Sequence, residues 1–447
     1  MMRQRVKIAR IPVNLLACGL ILSGLGTAVL CSGASARPLQ SELQHLLTTH
    51  PRLQAAQKDV KSAEQNIRAA RSGYFPNVSL SGDVGQEYVD SPSRRSTQGE
   101  DFFDTRKSTT LTVTQNLFDG FRTSSGEQIA NLRKGVSAER LHITRQSILF
   151  DGIRSYLNVL KQSRLLDIAK NNERTLQDQL ELESARVERG SGLAVDVLQA
   201  KSRLQLARER VVSLLGDLRE AHSVYIELFD RPAVPQDMTV PGIPDAELPK
   251  TMEGAVGIAS GESPVLKLSR NTVEIASEQR IAGKSTFWPR IDLVGEGSWE
   301  QDVDGIPGVR REGQVTVRAV WDIFDGFLTP ARSSRAAVNY SAALDRRRNV
   351  DRDVQNRVRQ AWSRYLTSGE QRELLDNAVN IASEVFEARK KLRQAGRETV
   401  INVLDAENEL NSARLRFTDA TFNHILASYR VLFQTGRQTP ETLKLSN

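Results

Sequence analysis

The segment LFDGF at residues 117–121 returns as IFDGF at residues 323–327, which lies 206 residues further along a chain of 447. The same offset holds for more than 80 residues beyond this point, so that Gly190 corresponds to Gly396. Self-similarity at a fixed spacing indicates a duplicated structural unit. The sequence therefore predicts one architecture that occurs twice in the chain.

Other landmarks recur in the same order and bound the two copies. Each copy has a proline near its start, at 51 and 264, and an aromatic-proline pair that ends 25 residues later, at 76 and 289. Proline disfavours helix in the residue before it, so each pair should end a helix. A segment rich in proline and polar residues separates the copies. The predicted units are a first copy at 37–230, a linker at 231–250, a second copy at 251–435 and a tail at 436–447.

Four segments with alternating apolar and polar residues follow the aromatic-proline pairs, two in each copy. They span residues 77–90, 108–118, 290–301 and 312–324. Alternation with a period of two predicts β-strands, and lengths of about ten residues are typical of outer-membrane barrels. The alternative is an ordinary half-buried sheet. Barrels need about eight strands, so a chain with four must share strands with other copies, and three copies would supply twelve.

Each copy then contains a very long helical stretch, a glycine turn and a helix that returns. The two hairpins cover residues 122–229 and 328–434, and each first arm of about 68 residues would reach about 100 Å. We expect Thr329 to cap the second long helix, with Pro330 at its first position and Thr123 as the equivalent cap in the first copy. Two hairpins from each of three chains would form a helical tube with the symmetry of the barrel.

Residues 1–36 have the composition of a secretory signal peptide. Four basic residues without an acid precede an apolar run at 11–31, and small residues at 34 and 36 predict cleavage after Ala36. One alternative is an uncleaved membrane anchor. Another is a lipid-modified Cys31, although the three residues before it match a lipoprotein cleavage site poorly.

Removal of this segment changes the chemistry of the remaining chain. Both cysteines, Cys18 and Cys31, lie within it, so the exported chain would have no disulfide bond. Its four basic residues account for much of the formal net charge of +7. The remaining basic residues are mixed with acids along the helices, which argues against nucleic acid as a partner.

The corners and the hairpin tips resemble the TolC family of outer-membrane efflux and type I secretion channel proteins. The strand-helix junctions that carry this resemblance are Pro76, Phe118, Gly120, Pro289, Phe324 and Gly326. The hairpin-tip residues that carry it are Gly190, Ser191, Gly192, Leu193, Gly396 and Arg397. The resemblance implies an α+β membrane protein, a TolC-like homotrimer. Four β-strands per chain would form a shared 12-stranded outer-membrane β-barrel, and long coiled α-helical hairpins would form a periplasmic tunnel.

The same resemblance implies how such a protein works. It would be a passive exit duct in the lipid of a Gram-negative outer membrane. Its tips would dock a periplasmic adaptor (membrane fusion) protein and an inner-membrane ABC or proton-driven transporter. No catalytic residue or cofactor is implied, and the five histidines are too scattered to suggest a metal site.

Three functional alternatives follow from these observations. The missing lipid-anchor site favours type I protein secretion over multidrug or small-molecule efflux. A periplasmic coiled-coil scaffold or adaptor is the alternative of a different class, because it would share the long helices without the four strands. An enzyme is the third alternative, and the sequence contains no nucleophile-elbow motif to support it.

In the resembling family, two acidic positions on the second tip form a ring that narrows the tunnel entrance. These positions fall here on Asn402 and Asp405. We therefore expect a ring of three Asp405 carboxylates that attracts cations, with less charge than the family pattern. The alternative for Asp405 is a solvated helix residue.

The resemblance also implies a lock that keeps the entrance closed. Its acidic position matches Asp196 on the first tip, and its two positions on the second tip fall on Arg393 and Glu398. We expect Arg393 to pair with Asp196. The alternative is that these two residues are unrelated surface charges.

Overall fold

The computed structural model describes residues 38–97 and 99–445. The predicted signal peptide and its cleavage after Ala36 lie outside these residues. None of the helices in the described segments combines the length and the apolar composition that crossing a membrane requires.

Both copies contain the same principal elements in the same order. The first copy consists of α1 (Leu39–Thr49), α2 (Pro51–Arg71), β1 (Asn77–Val89), the short α3 (Pro92–Thr97), β2 (Phe102–Phe118), α4 (Arg122–Glu188) and α5 (Ala194–Phe229). The second consists of α6 (Met252–Glu262), α7 (Pro264–Ala282), β3 (Arg290–Val303), β4 (Ile306–Val320), α8 (Leu328–Gln394) and α9 (Val400–Thr435). Helices α4 and α8 both have 67 residues, and α5 and α9 both have 36. The corresponding arms of the two hairpins thus have the same length.

The four strands form one antiparallel sheet in the order β1-β2-β3-β4. Asp83 is opposite Ser108 in the first strand pair, and Glu296 is opposite Gln314 in the second. Glu296 is the counterpart of Asp83 when the copies are aligned on their aromatic-proline pairs, so the two strand pairs have the same register. Within the residues that the structure describes, β1 and β4 each have one edge without a partner strand.

The strands differ from the predicted segments at their ends. β2 begins at Phe102 instead of 108, and β4 begins at Ile306 instead of 312, because backbone pairing continues through residues that do not alternate in polarity. β4 ends at Val320 instead of 324, whereas the equivalent β2 continues to Phe118. The last residues of β2 are paired with β3, and β4 lacks such a neighbour in the described chain.

A sharp corner connects each second strand to its long helix. Gly120 and Phe121 both have left-handed backbone conformations, with φ of 68° and 69°. Gly326 and Phe327 repeat this conformation with φ of 67° at both residues. Phenylalanine rarely adopts positive φ, so its presence twice at equivalent places marks a conformation that the surrounding structure enforces.

An aspartate holds each corner in place. The Oδ2 atom of Asp119 accepts hydrogen bonds from the backbone N–H of Thr123 at 2.9 Å and from its hydroxyl at 2.5 Å. Asp325 accepts the same two bonds from Thr329 at 2.8 and 2.5 Å. The expectation that the threonines are the caps was wrong. Helix α4 begins at Arg122 and α8 at Leu328, so each threonine is the second residue of its helix. The left-handed pair brings each aspartate over the first turn, where it accepts the free N–H group.

The largest core lies where short segments pack on the long helices. It combines Leu43 and Leu46 of α1, Ile153 of α4, Phe229 of α5, Leu432 of α9, Met238 of the linker and Leu443 of the tail. A second core packs Ala255 and Ala259 of α6 against Val358 of α8 and Val431 of α9. The short segments therefore cover one face of the long helices.

A buried carboxylate fastens α1 to the end of the first hairpin. Glu42 is 0% exposed, and its Oε2 atom accepts hydrogen bonds from the Tyr225 hydroxyl at 2.7 Å and from the Arg231 guanidinium at 2.6 Å. Removal of one partner from a buried ion pair leaves a charge without compensation, which is strongly destabilising. The linker is thus attached to the core at its first residue.

We expect Arg231→Met to lower the free energy of unfolding by about 3 kcal/mol, because the Glu42 carboxylate would stay buried without its cation. Urea unfolding followed by the helical circular dichroism signal measures this loss. Arg437→Met is the matched control, since it removes the cation of an exposed pair with Glu262 and should cost at most about 1 kcal/mol. Equal losses in both variants would contradict the importance of burial.

Candidate functional site

The two hairpin tips end their long helices with the same turn. Gly190 and Gly396 have φ of 75° and 70°. In the first tip the N–H of Ser191 donates to the carbonyl oxygen of Arg186 at 3.0 Å, and the second tip has the equivalent bond at 2.9 Å. A left-handed glycine with this bond is the Schellman type of helix end. The two predicted tips therefore lie where the sequence indicates.

The first tip exposes apolar side chains. Leu193, Val195 and Leu198 are 66, 53 and 64% exposed. The second tip is less apolar on its surface, because Leu404, the counterpart of Leu198, is only 2% exposed. Exposed apolar residues that cluster at one end of a molecule favour contact with another protein. The predicted docking residues Ser191 and Leu193 lie at this end.

Arg393 pairs with Glu183 of α4 and not with Asp196. Its guanidinium lies 3.1 and 3.2 Å from the two carboxylate oxygens of Glu183, and it also donates to the carbonyl oxygen of Glu398 at 3.2 Å. Glu183 is only 4% exposed, and a buried carboxylate is costly without a cation. The buried carboxylate therefore favours Arg393 at this place, in addition to Arg186 of α4, whose guanidinium lies 3.4 Å from it. The expected lock within the chain is corrected to an Arg393–Glu183 pair that joins the two hairpins.

Glu398 and Asn402 contact each other at the start of α9. The Oε1 atom of Glu398 accepts hydrogen bonds from the Asn402 amide at 2.6 Å and from the backbone N–H of Thr399 at 3.0 Å. These bonds, with Asn402 contributing most, lower the pKa of Glu398 below its usual value. Glu398 therefore stabilises its own helix end, where an anion is favoured by the helix dipole.

Asp405 has a cationic partner on the other hairpin. Its Oδ1 atom accepts a hydrogen bond from the Arg203 guanidinium at 2.6 Å. The two side chains are 55 and 37% exposed, so this pair contributes little to stability. The pair does change the local charge. The sequence predicts an unpaired Asp405 carboxylate, whereas in the structure Arg203 neutralises it. A ring of Asp405 residues would thus attract cations less than the sequence predicts.

A pocket of about 220 Å³ lies between α4, α5 and α9. Glu407 lines it, is only 6% exposed, and accepts a hydrogen bond from the Gln179 amide at 2.6 Å. Burial raises the pKa of Glu407 to about 7, although the Gln179 bond and the charge of Lys390 oppose this effect. The carboxyl group therefore changes its charge near neutral pH.

Sequence reasoning missed Glu183, Arg203 and Glu407. Glu183 and Glu407 could have been noticed in the sequence, because each occupies a position where the helical spacing predicts an apolar residue. Glu183 follows Leu176 and Leu180 with spacings of four and three, and Glu407 lies four residues after Val403 and three before Leu410. A charge in this spacing indicates a buried polar contact. Arg203 left no such signal, because its partner lies 202 residues away.

No group of three or more His, Cys, Asp or Glu side chains within 38–97 and 99–445 is arranged to hold a metal ion.

A family model described as outer membrane efflux protein matches the chain twice, at residues 43–223 and 256–436. Two relatives match most of the chain. Outer membrane efflux protein BepC of Brucella suis biovar 1 is 24% identical over 97% of this chain and 92% of its own. Alkaline protease secretion protein AprF of Pseudomonas aeruginosa is 23% identical over 87% of this chain and 82% of its own.

A solved structure shares the fold. The Campylobacter jejuni CmeC outer membrane channel superposes with a TM-score of 0.79 over 91% of this chain and 88% of its own, at 13% identity. Similarity at this low identity concerns the arrangement of helices and strands, and it agrees with the mixture of long hairpins and a four-stranded sheet seen here.

We expect Glu407→Gln to make the protein more stable than the parent above pH 7 and equally stable near pH 4. Because the pKa of Glu407 is raised on folding, the folded state holds a proton that the unfolded state has lost between about pH 4.5 and 7. The parent therefore loses stability as pH rises through this window, by about 3 kcal/mol, and the amide does not. Melting curves at pH 4, 6 and 8 measure the difference.

The control for this measurement is Glu409→Gln, the same chemical change at an exposed position of α9. It should leave the pH dependence of the parent intact. A Glu407→Gln protein whose melting temperature follows the parent at all three pH values would show that folding does not raise the pKa of Glu407.

Proposed function

This chain belongs to the outer membrane efflux protein family, and we propose that three copies of it form the exit duct of a tripartite export system. The duct passively conducts cargo from an inner-membrane transporter and a periplasmic adaptor to the cell exterior. The family consists of outer-membrane channels, so the protein is a transport channel and not an enzyme. A periplasmic scaffold, the alternative of a different class, does not agree with a family match that spans both copies.

The observation that best supports assembly is the unequal environment of two equivalent glycines. A Cβ atom on Gly120 would lie 2.4 Å from the carbonyl oxygen of Ser285, so the first corner packs tightly on the second copy. A Cβ atom on Gly326 would have no atom of the described chain within 4 Å. Ser285 corresponds to Ser72 when the copies are aligned on their aromatic-proline pairs. We infer that Ser72 of a neighbouring chain covers Gly326.

The contact between the two copies also predicts a register between neighbouring chains. Within the chain, Thr112 of β2 is opposite Glu296 of β3. Their counterparts in the other copy are Arg318 of β4 and Asp83 of β1. If each chain joins the next as its own two copies join, Arg318 of one chain lies opposite Asp83 of the next, and the opposite charges favour that pairing. The free edges of β1 and β4 are then both satisfied.

We propose three as the number of chains in this arrangement, as in the TolC-like channels that the chain resembles. One chain provides four strands and two hairpins, and fewer than about eight strands do not close a barrel. Three chains give twelve strands and six joints of one kind, three within chains and three between them. Backbone groups that face lipid must be paired, so a closed sheet removes the edges that a single chain leaves open.

A disulfide between Gly85→Cys and Thr316→Cys tests this register. These positions are the counterparts of Ser298 and Thr110, which are opposite each other within the chain. Because β1 and β4 are at opposite edges of one sheet, the bond forms only between chains. Both native cysteines lie in residues 1–36, so we expect oxidation to link most of the mature protein into covalent trimers on a non-reducing gel.

The control pairs Thr316→Cys with Glu87→Cys, two residues further along β1. Residue 87 is on the same face of β1 as residue 85, but it would lie about 7–8 Å from residue 316 of the neighbouring chain, too far for a disulfide to form easily. Efficient trimer linkage in the control and none in the test pair would contradict the register. Linked dimers that never extend to trimers would contradict the number of chains.

Two cargo classes remain within this proposal. The relative AprF is named for alkaline protease secretion, which supports type I protein export. The relative BepC is named as an efflux protein, which supports export of small molecules. We propose type I secretion as the leading function and multidrug or small-molecule efflux as the alternative. Both require an adaptor at the hairpin tips, and the exposed Leu193, Val195 and Leu198 support the first tip as its docking surface.

A photo-crosslinker attached at Ser191→Cys should identify the partners in cells. We expect capture of a periplasmic adaptor together with an ABC transporter. Capture with a proton-driven pump would favour small-molecule efflux instead. The matched control is Ser223→Cys on α5, also exposed and about 50 Å from the tip, which should capture no adaptor. Absence of any adaptor at Ser191 would contradict docking at the tip.

A further inference from the structure

An open groove of about 400 Å³ runs between α8 and α9 on a face that no other element covers in the described chain. Its charged lining residues are Arg364 of α8 and Arg430 of α9, and Thr367, Ser368, Gln371 and Asn423 supply further polar groups. Guanidinium, hydroxyl and amide groups in one groove are the donors that carboxylates and phosphates bind.

The two arginines have no acidic partner among the described residues. Arg430 lies over the ring of Phe150 at 5.4 Å, a contact that holds its guanidinium in place. Burial lowers the pKa of Arg430, and the positive charges of Arg364 and Arg154 lower it further. Arg154 is itself paired with Asp151 at 3.0 Å. Like charges repel each other, so a bound anion would lower the electrostatic energy of the groove.

The duplicated architecture indicates that the fold does not require these arginines. At the offset of 206 residues, Arg364 corresponds to Asn158 and Arg430 to Val224 in the first copy. The first hairpin has arms of the same length with a neutral residue at both places. The second copy therefore has two arginines that the first copy lacks, and their mutual repulsion has an electrostatic cost.

Helical geometry shows which way the groove faces. With about 100° of rotation per residue, the residues of α9 that line the groove are centred about 130° from Phe422, Ile425, Tyr429 and Leu432, which pack in the largest core. The linker, the tail and the short helices cover the core side. A duct has to keep its interior clear for cargo. We therefore infer that the linker, the tail and the short helices lie outside the tube and that the groove faces its interior.

We propose that Arg364 and Arg430 form an anion-binding site on the inner wall of the helical tunnel, which takes the carboxylate or phosphate groups of passing molecules. This inference rests on the proposed function. Three chains would present six positive charges at one height of the tunnel, and rings of arginine favour anions in pores. The site acts as a resting place for anionic cargo groups between the entrance and the barrel.

Citrate block of single pores in planar bilayers tests the site in the assembled protein. We expect citrate, a small multivalent anion, to reduce the potassium chloride current of the parent. Arg364→Asn with Arg430→Val installs the residues that the first copy already tolerates, and half-block should then need about tenfold more citrate. Replacement of both arginines by lysine keeps the charge and should keep the block. Arg414→Gln, about 160° around α9 from Arg430, should behave as the parent.

Failure of this inference differs from failure of the proposed function. Pores that conduct normally but respond to citrate equally in the parent and in the Asn/Val variant would overturn the anion site alone. A protein that forms no pores would overturn the proposed function.

A thiol at Thr367→Cys, in the groove of the cysteine-free mature chain, tests the site without conduction. We expect an anionic methanethiosulfonate to react faster than a cationic one, with a rate ratio about tenfold above that in the Asn/Val background. An unchanged ratio would show that an acidic group of another chain already neutralises the arginines, and it would overturn the proposal.

Discussion

Backbone groups of a β-strand need partners wherever water is excluded, and this constraint shapes the whole molecule. The sheet satisfies it internally between β1 and β2, β2 and β3, and β3 and β4, and it leaves one edge at each side. The last residues of β2 are extended because β3 pairs with them, whereas the same residues after β4 leave the strand conformation. In the proposed assembly a single chain is one segment of a ring, and the contact between its own two copies is the pattern for the joint to the next segment.

The extent to which sequence predicted this structure depends on how local each determinant is. The hairpin turns were predictable because a left-handed glycine is required at one position, and Gly190 and Gly396 occupy it. The corners were only partly predictable. The FDGF segments marked their places, but the capping acceptor is Asp119, which lies before a left-handed glycine and a left-handed phenylalanine, and phenylalanine rarely adopts that conformation. Contacts between the hairpins were not predictable. Arg393 pairs with Glu183, which is buried next to it in the fold but lies 210 residues away along the chain.

Comparison of the two copies separates the requirements of the fold from additions. The copies agree at the tip glycines and the corner aspartates. In both copies these residues either adopt a left-handed backbone conformation or accept a hydrogen bond from a backbone N–H group. Where they differ near the tips, the charges are often reversed: Glu183 corresponds to Arg389, and Lys201 corresponds to Glu407. Reversal of this kind lets one copy complement the other when they lie side by side, as the pair of Arg203 and Asp405 does. The charge differences between the copies thus make their facing surfaces complementary near the tips.

The corner between strand and helix also works as the pivot of a lever. Each corner sets the direction of a 67-residue helix, which is about 100 Å long. A rotation of about 3° at such a pivot moves the far end by about 5 Å, roughly the spacing between neighbouring strands. In the proposed assembly the position of the hairpin tips therefore depends on the backbone at the other end of the protein. The aspartate hydrogen bonds and the two left-handed residues limit rotation at each corner, together with the helices that pack against α4 and α8.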